Sequence, residues 1–412
     1  MLTLMPIIYM RYLIGALFLG LLYSCNGIEE EPSADIINSV CQTGLPILLI
    51  DTPMAKEIPA KDKDWLAGTT LRVYDEAMEL KYMGQMGIRG RGNNTWKYPK
   101  KPYALKLDEQ AELLGMPSHK RWVLLANWVD RTMLRNHIAF EISRRTSLYY
   151  TPRGKFVEVI LNGEHIGCYY LCEQIMIDKN RLDIYECNEE EVNRGYLLEL
   201  DKYYDEKFKF HSPLRGLPYM FKTPDSVTEK QYAFIYDYIS KFENILYDDV
   251  SFFNREYVNY IDIDSFVDWW IVVELTGIWE PNHPKSTYMH KDKDGRLAAG
   301  PVWDFDYDTF THKSGFRCQN AIYYDRLFQD AEFVSRVKER WLTLRDDLAS
   351  IPDYIEAEAA KLQKSDEFNH YKWPITIIVN NDEHMSYSEA VENMKKAYQN
   401  KYNFLNNEIL RM

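Results

Sequence analysis

Asp304, Asp306 and Asp308 occupy alternate positions in the run Gly-Pro-Val-Trp-Asp-Phe-Asp-Tyr-Asp-Thr-Phe at residues 300–310. Read as an extended strand, this spacing puts the three carboxylates on one face and Trp303, Phe305 and Tyr307 on the other. The aromatic face suits a core. The acidic face needs a reason to exist, because two ionised carboxylates about 7 Å apart repel by roughly 2 kcal/mol at an effective dielectric near 20. Such a row persists if it faces water, if basic side chains neutralise it, or if it grips a cation. Hard oxygen ligands favour magnesium, manganese or calcium over zinc.

A cationic counterpart lies upstream. Arg89, Arg91, Lys97, Lys100, Lys101 and Lys106 fall within residues 87–107 of a chain whose net charge is −13. Gly90 and Gly92 stand among them and would let backbone N–H groups approach a ligand. Glycines beside basic groups suit an anion such as phosphate, and a solvated basic turn is the plain alternative. The stretch is neither a P-loop nor a dinucleotide fingerprint. Tyr103, Leu105 and Leu107 alternate with Lys106, which a strand would present on the opposite face. Arg135 reads as one half of a structural ion pair. Glu173 and Glu199 admit a glycosidase acid–base pair, for which sequence gives no separation.

The elements that must position these groups alternate in type, predicting an α+β fold. Strands are expected at 45–51, 69–74, 103–107 and 121–127, and a hairpin at 155–174 turns on Asn162-Gly163. A further strand at 193–201 carries Glu199 and Asp201 on one face. The loop at 202–221, rich in Lys, Tyr and Pro, reads as a lid. Asp130 is expected to cap a helix with Leu134, Ile138 and Ile142 on its apolar face. Helices follow at 228–246 and 265–276, the second apolar nearly all round and so buried. A loop at 277–284 and a hairpin at 286–302 then bring Glu280, Asn282 and His283 near Asp304 and Asp306. Helices at 332–349 and 353–364 precede a last one opened by the capping box Ser386/Glu389.

At 412 residues and 46% hydrophobic, the chain can bury a large core, as one domain or two closely joined lobes. The acidic balance argues against a nucleic-acid partner. Residues 1–24 read as an export signal: Arg11 precedes an apolar run too short for a comfortable membrane span. Residues 22–25 resemble a bacterial lipobox, which makes Cys25 the lipid-bearing residue of an envelope protein. The expected location is the outer membrane, touched only through the anchor. Residues 25–44 then form a flexible tether. The other five cysteines are odd in number and make no disulfide framework. Cys168 and Cys172, about 13 Å apart on one strand, read as buried free thiols.

Taken together, these blocks resemble the CotH family, spore-coat kinases with an atypical secreted-kinase-like fold. The likeness rests on Arg89-Gly-Arg-Gly-Asn-Asn-Thr-Trp96, Lys100-Lys-Pro-Tyr-Ala-Leu-Lys106, residues 122–136, 161–163 with 167–174, and Trp303-Asp-Phe-Asp306. It spans residues 45–410 and implies a mainly antiparallel central sheet with a helical C-terminal lobe. The sheet-rich part would cover 45–225, and the helical, metal-bearing part 226–410. It implies magnesium or manganese at Asp304 and Asp306, ATP phosphates against Arg89, Arg91 and Lys106, and Glu173 pairing a lysine. Active members carry an aspartate in the loop before the hairpin. Here residues 278–283 read Ile-Trp-Glu-Pro-Asn-His, so Glu280 is the nearest substitute, one methylene longer. A misplacement of about 1 Å can cost roughly a hundredfold in rate.

Two functions follow. One is a metal-dependent phosphotransferase moving phosphate from a nucleotide to a hydroxyl of an exported protein or a glycan. The other is a non-catalytic surface lipoprotein of the same fold that binds a polysaccharide or protein partner. An envelope protein meets little ATP, so the first needs a local nucleotide supply or another phosphoryl donor.

Overall fold

The computed structural model describes residues 34–186 and 191–412. Up to residue 173 the described chain forms seven strands, β1 (Ile47–Asp51), β2 (Leu66–Tyr74), β3 (Leu80–Gly90), β4 (Tyr103–Leu113), β5 (Met116–Leu125), β6 (Gly154–Leu161) and β7 (Glu164–Glu173). These strands close into a barrel in the order β1-β2-β3-β4-β5-β7-β6. Every pairing is antiparallel except β1 with β6. Leu71, Met86, Ile88, Leu105, Trp122, Val159 and Tyr169 fill the interior. The hairpin between β6 and β7 turns on Asn162 (φ 49°) and Gly163 (φ 80°), the left-handed pair of a type I′ turn.

The outer face of β5–β7 is apolar too. Val123, Leu125, Cys168, Tyr170 and Cys172 lie two residues apart on their strands and enter a second, larger core. That core also holds α2 (Arg135–Arg144), after the short N-terminal α1 (Ala34–Val40), and a second sheet. The sheet runs β12-β11-β8-β10-β9, from β8 (Tyr196–Leu200), β9 (Lys209–His211), β10 (Pro218–Thr223), β11 (Thr287–Lys291) and β12 (Leu297–Ala299). Helices α3 (Glu229–Tyr247), α4 (Asp249–Phe253), α5 (Ile263–Thr276), α6 (Tyr324–Leu327), α7 (Ala331–Leu348), α8 (Ile351–Lys372) and α9 (Tyr387–Arg411) complete it. Helix α5 is buried along nearly its whole length, as its composition requires.

The α+β expectation holds, with a closed barrel and a second antiparallel sheet in place of one central sheet. Four local expectations fail. Residues 300–310 form no strand: Asp304, Asp308 and Phe310 have φ of 70°, 50° and 49°, and left-handed residues break a period-two run. The supposed lid at 202–221 contains β9 and most of β10, because its aromatics Phe210, Tyr219 and Phe221 are core residues. Helix α2 begins at Arg135, with Asp130 still accepting the Arg135 backbone N–H at 2.8 Å. The end of the expected tether is helical, and α1 packs Val40 with Ile47, Leu49 and Ile160.

Cys25, the signal stretch and Cys187 lie outside the described residues. Cys41, Cys168, Cys172 and Cys318 are free thiols. Among the described residues, no helix is long and apolar enough to cross a membrane.

Candidate active site

The barrel's outer wall, the second sheet and residues 303–308 meet around a cavity of about 1080 Å³. Register builds the barrel side. Arg89, Ala104 and Val123 lie abreast across β3, β4 and β5, and Gly87, Lys106 and Arg121 form the next row. Their neighbours Ile88, Leu105 and Trp122 point into the barrel, so these rows face outward. Arg89, Arg91 and Arg121 line the cavity half-buried, and none of them forms an ion pair with a described residue. They rest on indoles instead. The Arg89 and Arg121 guanidinium carbons lie 4.4 and 4.9 Å from the Trp65 ring centre, and that of Arg91 lies 5.3 Å from Trp303. Sharing one ring, Arg89 and Arg121 stand no more than about 9 Å apart, which costs about 2 kcal/mol at an effective dielectric near 20.

The opposite wall is acidic. Glu199 of β8 and Asp201, the residue after the strand ends, both line the cavity, as their spacing predicts. Glu199 pairs with Lys222 of β10 at 3.1 Å, and Lys222 also meets Glu206 at 2.5 Å. Burial raises the carboxyl pKa of Glu199 while Lys222 pulls it back. Asp201 accepts the Tyr203 and Ser286 backbone N–H groups at 2.8 and 3.1 Å.

Between the walls sit Asp304 and Asp306. Both line the cavity, and neither forms an ion pair with a described residue. Burial raises the carboxyl pKa of Asp304, with Arg91 and the Ser286 hydroxyl (3.3 Å) opposing. Burial, then the neighbouring Asp304, lifts Asp306 well above the usual range. Asp308 also reaches the cavity but is neutralised by Arg317 at 3.1 Å. With no ladder to hold it, this segment is pinned by buried polar side chains. Asn136 of α2 accepts the Phe305 N–H at 2.8 Å, Arg135 donates to the Thr309 carbonyl at 3.0 Å, and Asn380 donates to the Asp306 carbonyl at 3.0 Å.

Glu280 lies beside this pair, 9% exposed and ion-paired with Lys285. Burial and then Asp304 push its carboxyl up to about 7. Its loop therefore reaches the aspartates, as the hairpin predicts, and His283 lines the cavity too. Asn282 instead braces the loop, donating to the Trp279 and Arg317 carbonyls.

Other expected site residues go elsewhere. Lys106 is exposed, one row beyond Ala104 and outside the cavity lining. Glu173 is fully buried and pairs with Arg153 at 2.9 Å rather than with a lysine, while also accepting the Tyr150 hydroxyl at 2.8 Å. It does not line the cavity, so it forms no acid–base pair there with Glu199. Lys100 is among the lining residues, but its ammonium is buried and committed to the Cys168 carbonyl and Asn369. A Cβ on Gly90 would lie 2.4 Å from the Trp96 ring, so that glycine makes room for an indole rather than a ligand. Arg135 is fully buried between Asp130 and Asp382, the structural pair expected of it.

Sequence reasoning passed over Arg121, Lys222, Lys285, Asn136 and Asn380 as site groups. Lys285, five residues after Glu280, carried a local signal. The others depend on register or tertiary packing.

Among the described residues, no three His, Cys, Asp or Glu side chains form a complete metal site. The donor set still fits a divalent ion: a half-buried Asp304 and a buried Asp306, neither held in an ion pair with a described residue, are what magnesium uses when substrate phosphates and water fill the remaining positions. A model of the CotH kinase protein family matches residues 88–405. None of the curated proteins matches the chain.

Proposed function

The chain belongs to the CotH kinase family, and from that premise we propose that it is a metal-dependent phosphotransferase moving a phosphoryl group from a nucleotide, ATP, to a hydroxyl acceptor. The barrel and the helical region would correspond to the two lobes of an atypical protein-kinase-like fold. The observation that carries this reading is that Asp304 and Asp306, neither in an ion pair with a described residue, share one cavity with Arg89 and Arg91, which also form none. Phosphoryl transfer asks a protein mainly for positioning and charge neutralisation, and these two sets divide that work.

Asp304 and Asp306 would hold magnesium or manganese, which when bound neutralises phosphate charge. Arg91, whose charge already acts on Asp304, and Arg89 beyond it would hold the phosphate oxygens. Glu280 would orient the acceptor hydroxyl and take its proton, and a carboxyl pushed up to about 7 is well matched to that transfer near neutral pH. Lys285 keeps that carboxylate aimed into the cavity. The acceptor would be an exported protein or a glycan, and the protein would sit in the envelope on a Cys25 lipid.

A thermal melt tests the reading. ATP with manganese at about 100 times its dissociation constant should stabilise the protein by about 2.7 kcal/mol, and Asp304→Asn should abolish the gain. No shift in the unmodified protein refutes it. A second reading, a surface protein that binds a polysaccharide, is favoured by Trp279, Tyr203 and Tyr307. These rings line the cavity while 41%, 38% and 45% exposed. A shift with polysaccharide but none with nucleotide would establish it instead.

A further inference from the structure

The phosphotransferase reading leaves part of the cavity's charge unused. The Arg91 guanidinium lies 5.3 Å from the ring of Trp303, the residue before Asp304, and lines the same cavity, so it marks the metal end. Arg89 sits two residues back along β3, one strand step of about 7 Å. Arg121 lies beyond Arg89 on β5, and the exposed Lys106 is its cross-strand partner. The cations therefore form a track leading from the aspartates along the barrel's outer face. The carboxylate whose charge reaches Arg121 is Asp225, which is exposed and forms no ion pair with it.

A nucleoside triphosphate with its last phosphate at Asp304 and Asp306 would bring its uncharged base toward the Arg89–Arg121 end. That end is poorly made for a base. The indole there, Trp65, already carries two guanidinium groups against its ring, and a neutral group would leave both of them half-buried without an ion-pair partner among the described residues. Phosphate oxygens match the paired forks of two arginines.

We propose that the phosphoryl donor of this site is a linear condensed phosphate, whose chain runs from Asp304 and Asp306 past Arg91 onto the Arg89–Trp65–Arg121 cluster. In the transfer, the acceptor hydroxyl oxygen bonds to the terminal phosphorus. The bridging P–O bond to the next phosphate breaks, and the chain leaves one unit shorter with the bonding electron pair. The hydroxyl proton passes to the Glu280 carboxylate. Nothing is oxidised or reduced. The proposal rests on the phosphotransferase reading and changes its donor.

Calorimetric titration of the full chain with manganese tests it, using polyphosphate of about 15 units, ATP, and a single-stranded oligothymidylate of matched charge. Charge-assisted hydrogen bonds of the usual strength predict that the polyphosphate binds at least about tenfold tighter than ATP. Arg121→Ala should remove about tenfold for the chain and less than about twofold for ATP, with Arg121→Lys between them. Melting curves of both variants establish that they fold, and Arg121→Lys carries the test if the alanine variant does not. ATP binding tighter than the chain, or losing as much on Arg121→Ala, overturns the proposal and leaves the nucleotide kinase standing. Equal binding of the oligothymidylate overturns it in favour of a general polyanion surface. If neither ATP nor polyphosphate binds with manganese, the phosphotransferase reading falls as well.

Discussion

Replacing Glu280 with glutamine separates two accounts of the buried acidic group. In the folded protein its carboxyl is pushed from an ordinary 4.5 to about 7, first by burial and then by Asp304, with Lys285 opposing. The unfolded chain feels neither effect. Between pH 4.5 and 7 the folded state therefore holds a proton that the unfolded state has released. More protons bound when folded means that stability falls as pH rises through that window, and the loss is complete above it. At about 1.4 kcal/mol for each pH unit, the displacement is worth about 3 kcal/mol. Glutamine mimics the protonated carboxyl and cannot ionise. Glu280→Gln should match the parent near pH 4 and exceed it by up to about 3 kcal/mol at pH 8. Lys285 keeps a counter-charge in the variant, because Asp304 also acts on it. Urea titrations at a series of pH values read the gap directly. A variant less stable than the parent at pH 8, or a gap that ignores pH, would refute the reasoning. The ion pair with Lys285, rather than burial beside Asp304, would then govern the carboxylate.

Three further outcomes are expected. Arg135→Met leaves Asp130 and Asp382 as uncompensated buried charges and should cost about 3–5 kcal/mol in urea titration. Glu173→Gln breaks the contacts to Arg153 and Tyr150, so it should lower the melting temperature while leaving ATP affinity by calorimetry unchanged; a selective loss of ATP affinity would return Glu173 to the nucleotide site. Cys25→Ala should release the protein from the membrane fraction and abolish incorporation of labelled fatty acid, and membrane retention without label would point to another anchor.

Local patterns were the most legible part of the fold. The β6–β7 hairpin follows from Asn162-Gly163 between two apolar runs, and α9 from Ser386 and Glu389. Glu199 and Asp201 reach one cavity because period two carries through the end of a short strand to the residue after it. The acidic row was legible as a cluster of charge and not as structure. Alternation at Asp304, Asp306 and Asp308 imitates a strand, yet the backbone turns left-handed at the first and third. Lys106 and Glu173 failed for a different reason. Each has the right charge near the right motif, but strand register carries Lys106 past the cavity, and Arg153 captures Glu173. Lys222 and Arg121 gave no local signal, since their neighbours come from strands distant in sequence.

The way residues 303–310 are held makes the placement of Asp304 and Asp306 a tertiary property. Backbone pairing would fix both aspartates from the segment's own strand. Here α2 supplies Asn136 and Arg135, and Asn380 ties the Asp306 carbonyl to that of Val129, 3.0 Å from the same amide nitrogen. The Phe310 N–H reaches the last residue of α5, donating to Thr276 at 2.7 Å. Arg135 can brace Thr309 only because Asp130 and Asp382 compensate its charge where water does not reach. A buried ion network of this kind is a poor source of stability compared with apolar packing of the same volume. Its value lies in direction: charged groups with fixed partners hold a backbone carbonyl where a greasy contact would let it slide. The acidic pair is thus coupled to the helical region, while the arginines facing it belong to the barrel. A small shift between these two bodies would separate the charges that the cavity brings together, so the packing of α2 against β5–β7 fixes how the two sets of charges face each other.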